Sequence, residues 1–195
     1  MITKLNSFII ADPRKCIGCK ICEVACSIMH SGVAMKTAGM METPVTPRLF
    51  LVQTAEVTMP IQCRHCEDAP CANVCPVAAI TQENNVITVK EDQCIGCKTC
   101  LMACPFGAID LVPRYKDGEE VMQLGLKSET AEGLLGKSML VANKCDLCAG
   151  CESGPACVEA CPEKALEIVT PMKNKKKRNQ DAALRLLDSV KKFIG

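Results

Sequence analysis

The apolar residues of this chain come in short clusters, and the spacing within them changes once, near the C-terminus. Phe8-Ile-Ile-Ala11, Val86-Ile-Thr-Val89 and Leu140-Val-Ala142 read as short strands, and so do Ala108-Ile-Asp-Leu-Val112 and Ala165-Leu-Glu-Ile-Val169. Each lies beside a stretch dense in cysteine, so the predicted repeating unit is strand, loop, short helical turn, strand. From Asp181 to Ile194 the period lengthens: Ala183, Leu186, Leu187, Val190, Phe193 and Ile194 recur at helical spacing, with Arg185, Asp188, Lys191 and Lys192 between them. This pattern predicts an amphipathic helix over residues 181–195. Alone, such a helix is marginal, so its stripe needs cover from its own domain, another subunit, a second copy in a polymer or a membrane surface. The basic run Lys173-Asn-Lys-Lys-Lys-Arg178 reads as a solvated linker over residues 171–180. No aromatic stacking platform accompanies it, which argues against nucleic-acid binding.

Composition changes what can fill the middle of such a fold. The 195 residues include 17 Cys but one Tyr, four Phe and no Trp, so the large side chains of an ordinary core are nearly missing. All but one of the cysteines fall into four groups: Cys16, Cys19, Cys22, Cys26; Cys63, Cys66, Cys71, Cys75; Cys94, Cys97, Cys100, Cys104; and Cys145, Cys148, Cys157, Cys161. The first and third read C-x2-C-x2-C-x3-C, while the second and fourth stretch the middle gap and keep both ends. Pro follows the last cysteine in three groups (Pro76, Pro105, Pro162), and an aliphatic residue stands five positions after that cysteine (Ile80, Ile109, Leu166). In the first group Ser27 takes the place of the Pro.

Three cysteines at this spacing wrap one cubane and offer a thiolate to three of its iron corners. The fourth, on a turn stopped by Pro, points away and completes a neighbouring 4Fe-4S cluster, so the motifs work in pairs. Gly18 and Gly96, in the repeated Cys-Ile-Gly-Cys, suit a loop whose backbone N–H groups approach sulfur, an ordinary turn being the alternative. Groups two and three are separated by only 18 residues and form one compact unit, leaving groups one and four to pair across the domain. The expected ligand sets are Cys16, Cys19, Cys22 with Cys161; Cys145, Cys148, Cys157 with Cys26; Cys63, Cys66, Cys71 with Cys104; and Cys94, Cys97, Cys100 with Cys75. Cys151 leaves one ambiguity, because Cys145-x2-Cys148-x2-Cys151 also has three-ligand spacing; Cys157 is preferred because Cys157-x3-Cys161 repeats the ending of the other groups.

Zinc is the rival metal, but zinc sites use two-by-two spacing rather than a third cysteine at x2 and a fourth before Pro. Disulfides fit worse, since closely spaced triplets cannot all pair without strain. The N-terminus has no signal-peptide pattern and no run of eighteen apolar residues occurs, so a cytoplasmic protein without a transmembrane segment is expected. A folded partner with its own export signal is the one alternative route across a membrane. Formal net charge is +1, but each oxidised 4Fe-4S core with four thiolates adds about −2, which takes a four-cluster protein to about −7.

These segments resemble a known family, the four-cluster ferredoxin-like subunits of molybdenum or tungsten oxidoreductases and hydrogenases. The likeness runs from about Phe8 to Val169. It is carried by Ile10-Ala-Asp-Pro-Arg-Lys-Cys-Ile-Gly-Cys19, by Cys63-Arg-His-Cys-Glu-Asp-Ala-Pro-Cys71, and by Lys144-Cys-Asp-Leu-Cys148 with Gly154-Pro-Ala-Cys157. Within the family the chain is most similar to the small iron-sulfur subunits of formate hydrogenlyase and hydrogen-dependent carbon dioxide reductase. The resemblance implies the same interleaved pairing. It also implies a wire joining a formate dehydrogenase to a hydrogenase, with carbon monoxide dehydrogenase and other reductases as alternative partners. The fold expected is α+β, a duplicated two-cluster ferredoxin-like fold with interleaved cysteine motifs, a small cluster-centred core and a C-terminal helix. The polyferredoxin domain spans residues 1–170, with an outer unit from 8–30 and 140–170 and an inner unit from 60–112.

No catalytic machinery is expected of this chain alone, since G-x-G-x-x-G, P-loop and H-E-x-x-H patterns are missing. His30 reads as a surface or loop residue. His65, between Cys63 and Cys66, either donates beside the sulfurs and raises a cluster potential or merely packs and bonds to backbone. Lys20, Lys98 and Lys144 neighbour ligands and either stabilise reduced clusters or are solvated. Met29, Met35, Met40, Met41 and Met59 either fill space under a loop or face a partner.

Overall fold

A computed structural model of the chain describes residues 5–31, 38–40, 43–130, 133–151 and 153–194. Strand β1 (Phe8–Ala11) leads through the first cysteine loop into helix α1 (Ile21–His30). The hairpin of β2 (Leu49–Gln53) and β3 (Thr58–Gln62) precedes the second loop, which runs into α2 (Pro70–Asn73). A second hairpin, β4 (Ile80–Glu83) and β5 (Val86–Val89), precedes the third loop and α3 (Thr99–Ala103). Strand β6 (Asp110–Pro113) is followed by the small ladder β7 (Tyr115–Lys116) and β8 (Glu119–Glu120), then by a long hairpin, β9 (Met122–Thr130) and β10 (Gly133–Ser138). Strand β11 (Leu140–Asn143) enters the fourth loop, and α4 (Ala156–Glu159), β12 (Leu166–Val169) and α5 (Pro171–Ile194) complete the chain.

All these ladders are antiparallel pairs. The outermost joins the two ends of the domain, with Phe8 opposite Val169 and Ala11 opposite Leu166. Strand β6 pairs with β11, Val112 facing Val141, while β2–β3 and β4–β5 are local hairpins. Helix α1 packs on α4 and α2 on α3. Two buried clusters result, one around Ile9, Cys26, Leu49, Cys157 and Leu166, the other around Ile80, Ile87, Cys94, Ile109 and Val141. Each mixes aliphatic side chains with thiols, which is how a chain so poor in aromatics fills its interior.

The strands expected from Ala108 and from Ala165 begin later, at Asp110 and Leu166. Both alanine amides are diverted to cysteine sulfur instead, Ala108 to Cys104 at 3.4 Å and Ala165 to Cys161 at 3.3 Å.

The basic run 173–178 is not a linker. It forms the first turns of α5, which starts at Pro171, ten residues before the apolar stripe. Proline at the first helical position has the right φ and no N–H to leave unpaired, and Lys and Arg are good helix formers. From Met172 to Lys191 every residue of α5 is exposed, Leu184, Leu186, Leu187 and Val190 included, so those apolar side chains are not docked on their own domain. The side chains of Lys192, Phe193 and Ile194 lie outside the described residues. Among the described residues, no helix is long and apolar enough to cross a membrane.

Candidate metal centres

One backbone turn recurs in all four cysteine loops. The residue before the second cysteine adopts a left-handed conformation each time: Gly18 (φ 74), His65 (φ 49), Gly96 (φ 64) and Leu147 (φ 57). That turn aims amides at sulfur, so the N–H of His65 donates to Cys63 Sγ at 3.3 Å and that of Leu147 to Cys145 Sγ at 3.4 Å. Glycine meets the requirement without strain, and at Gly96 a Cβ would stand 2.6 Å from the Leu140 carbonyl oxygen. His65 and Leu147 take the same turn at a cost of about 1–2 kcal/mol each.

The ends of the motifs divide three against one. After Cys75, Cys104 and Cys161 a proline stops the short helix, the chain folds back, and the alanine four residues on donates its N–H to the cysteine sulfur at 3.3–3.4 Å. The next residue, Ile80, Ile109 or Leu166, anchors the turn with only 4% exposure in each case. Ser27 lets α1 continue to His30, its Oγ donating to the Glu23 carbonyl at 3.1 Å. Cys26 then receives its amide from Arg48, at 3.3 Å.

Two cavities are each lined by four cysteines. One is walled by Cys16, Cys19, Cys22 and Cys161 with Leu51 and Pro60. The other is walled by Cys75, Cys94, Cys97 and Cys100 with Ile95 and Ala142. Elsewhere the Cys63 and Cys104 thiols both act electrostatically on Cys66 and Cys71, and Cys157 is buried against Cys26 and Cys148. Cys151 is only half-buried, and its thiol lies 3.3 Å from Met29 Sδ.

Burial pushes the thiols of Cys22, Cys71 and Cys148 up to about 11 and that of Cys157 to about 12, and it drives Cys145 upward as well. Apolar walls oppose the bare thiolates, so thiolate character in these cradles needs a cationic metal core to compensate it. Sulfur-only donor sets, directed amides and apolar walls all fit a cubane cluster.

His30 is not a surface or loop residue. It closes α1 with its side chain 15% exposed, Nδ1 lying 2.8 Å from the Cys26 carbonyl and Nε2 2.9 Å from Asp146 Oδ1. Both ring nitrogens face acceptors, so both carry protons, and the imidazolium is held well above its ordinary pKa. Burial alone would lower that value, but the hydrogen bonds to the Asp146 carboxylate and to the Cys26 side chain together outweigh it. Arg48 also pairs with Asp146, at 2.6 Å. Lys144 is buried rather than solvated, donating its ammonium protons to the carbonyls of Ile87 and Cys145, whereas Lys20 and Lys98 are exposed. Of the methionines, Met29 and Met59 are half-buried, Met40 is exposed, and Met35 and Met41 lie outside the described residues.

Quartets of thiols on left-handed turns, drawn from different parts of a chain of short antiparallel ladders, define a ferredoxin-like protein that carries electrons on 4Fe-4S clusters. Family models agree. A 4Fe-4S dicluster domain matches residues 54–123, a second dicluster model matches 93–165, and a 4Fe-4S binding domain matches 13–36. Electron transport protein HydN of Escherichia coli K12 is 43% identical, the match covering 85% of this chain and 89% of that one. Hydrogenase-4 component A of the same strain is 42% identical over 85% of this chain and 83% of its own length. Formate hydrogenlyase subunit 2, also of that strain, is 39% identical over 85% and 82%. The chain belongs to this family of iron-sulfur electron-transfer proteins. The BamBC active-site complex of benzoyl coenzyme A reductase overlaps 95% of the chain at 22% identity, with a TM-score of 0.36 that bears on nothing further.

Proposed function

We propose that the chain holds four 4Fe-4S clusters and passes single electrons between a formate dehydrogenase and a hydrogenase subunit within one complex. The observation that carries the four-cluster reading is the pair of cavities, each lined by three cysteines of one motif and the terminal cysteine of another. Their membership matches Cys16, Cys19, Cys22 with Cys161 and Cys94, Cys97, Cys100 with Cys75. By the same logic Cys63, Cys66, Cys71 take Cys104, and Cys145, Cys148, Cys157 take Cys26, with Cys151 spare. The ladders β1–β12, at the ends of the domain, and β4–β5, within it, support an outer and an inner unit and hence a duplicated, interleaved ferredoxin fold.

The partners are read from the printed names of the relatives, a hydrogenase component and a formate hydrogenlyase subunit. The chain acts as a conductor between those enzymes. Anaerobic purification of the native complex tests both halves. About sixteen iron and sixteen sulfide per chain are expected, with formate dehydrogenase and hydrogenase subunits travelling together. Zinc without acid-labile sulfide would overturn the cluster reading, and a different co-purifying enzyme would overturn the partners.

A second reading concerns α5, whose apolar stripe is exposed and whose eight Lys and Arg outnumber two Asp. It is the contact through which the chain docks on a neighbouring subunit or on a second copy. Truncation after Pro171 should leave the cluster spectra intact and reduce the size of the assembly; unchanged assembly sinks this reading.

A further inference from the structure

His65 combines three features that a packing residue does not need. It is 0% exposed, it sits between Cys63 and Cys66 at the left-handed turn that all four loops share, and one of its ring nitrogens has a fixed role. The N–H of Ile87 donates to His65 Nδ1 at 3.0 Å, which makes Nδ1 the acceptor and leaves the ring proton on Nε2. An imidazole that accepts at Nδ1 is neutral, so this contact sets both its charge and its tautomer. Nε2 is buried and finds no partner among the described residues. An N–H left unpaired inside a protein costs about 1–3 kcal/mol, and a cluster held by Cys63 and Cys66 would bring acceptor sulfurs to this loop.

The anchoring around it is equally specific. Ile87 offers its N–H to His65 and its carbonyl to the buried ammonium of Lys144, while the His65 carbonyl accepts from Asn6 Nδ2 at 2.9 Å. Strand β5 therefore holds the ring, and the N-terminal segment holds the His65 backbone.

We propose that His65 is a fixed, neutral hydrogen-bond donor, through Nε2–H, to a sulfur of the 4Fe-4S cluster on the Cys63 loop, and that it raises the reduction potential of that one cluster. A donor to cluster sulfur stabilises the reduced, more negative state, so its removal lowers the potential. This rests on the cluster reading given under the proposed function, and the two fail in distinguishable ways: absence of iron and sulfide from the unaltered protein sinks that reading, whereas intact clusters with unaltered potentials sink only the role of His65.

The test is a potentiometric titration, followed by electron paramagnetic resonance, of the complex carrying His65→Leu or His65→Gln. With full iron content, His65→Leu should shift one component of the titration to lower potential and leave the others in place. Gln, which keeps both an acceptor and a donor, should restore most of the shift. Four unmoved potentials overturn the proposal, and an equal shift in both variants assigns the effect to packing and overturns it too. Should His65→Leu fail to hold clusters, the untagged full chain with His30→Gln retains His65 as its only histidine. Labelled with 15N-histidine and reduced, it should show a nitrogen coupling to one paramagnetic cluster in pulsed spectra; no coupling overturns the proposal.

Discussion

The first cysteine motif and the other three solve one problem in different ways. Each terminal cysteine needs an amide pointed at its sulfur. In the second, third and fourth motifs the proline stop and the alanine four residues later supply it within a single turn. In the first, the helix runs on and the amide comes from Arg48, 22 residues away, while His30 and Arg48 tie the same region to Asp146 in the fourth loop. A local turn makes a motif self-sufficient. The long-range version makes the first motif dependent on the fourth, which is the partner that spacing assigns it.

The sharpest way to break this comparison is to remove terminal cysteines. Cys161→Ser should delete the same paramagnetic component as Cys19→Ser, and Cys26→Ser the same one as Cys157→Ser, each with loss of about four iron per chain. Deletion of matching signals within a single motif instead would refute interleaving. Next in size, Ser27→Pro imposes on the first motif the stop that the others use. Here the helix does not end, so the ring clashes with the preceding turn, and about 3 kcal/mol or more of stability should be lost in anaerobic urea unfolding. Pro105→Ser, the reverse exchange in the third motif, should cost less than half of that.

Gly96→Ala should cost roughly 1–3 kcal/mol, because the residue has φ 64 and a Cβ would strike the Leu140 carbonyl. Gly18→Ala is the milder control, its nearest obstacle being Thr58 Cγ2 at 3.2 Å. Smallest is Asp146→Asn, expected to remove about 1.5 kcal/mol by weakening the charged hydrogen bond to His30. The sign of its pH dependence follows from the raised histidine pKa. The His30 share of the stabilisation is complete below the unfolded value near 6.5 and fades as pH rises through the folded one, so the gap between variant and wild type should narrow in alkaline buffer to what the Arg48 pair contributes.

Much of the site was legible because cysteine spacing is dictated by cluster geometry rather than by tertiary context. The two cysteine-lined cavities support the pairing proposed from spacing and chain length. The five strands read from the sequence were placed to within two residues, while β2 to β4 and β7 to β10 went unread, and the late starts after Ala108 and Ala165 have one cause: an amide serving sulfur cannot also serve a ladder. What stayed hidden depended on contacts distant in sequence. Nothing near His30 announces Asp146, 116 residues on, and a lysine is so rarely buried that Lys144 gave no local sign of its place inside. The early start of α5 did have a signal, Pro171 followed by good helix formers, but a helix polar on every side in its first turns has no period to betray it.

The ladder between Phe8 and Val169 carries a consequence for biogenesis. A nascent chain threads from the ribosome N-terminus first, so the pocket containing Cys75, Cys94, Cys97 and Cys100 has all its thiols in hand once residue 100 is made. The pocket shared by Cys16 and Cys161 must wait for another 61 residues. Topology thereby imposes a timetable on maturation, with the machinery that delivers iron and sulfide meeting the interior of the molecule first and its two ends last.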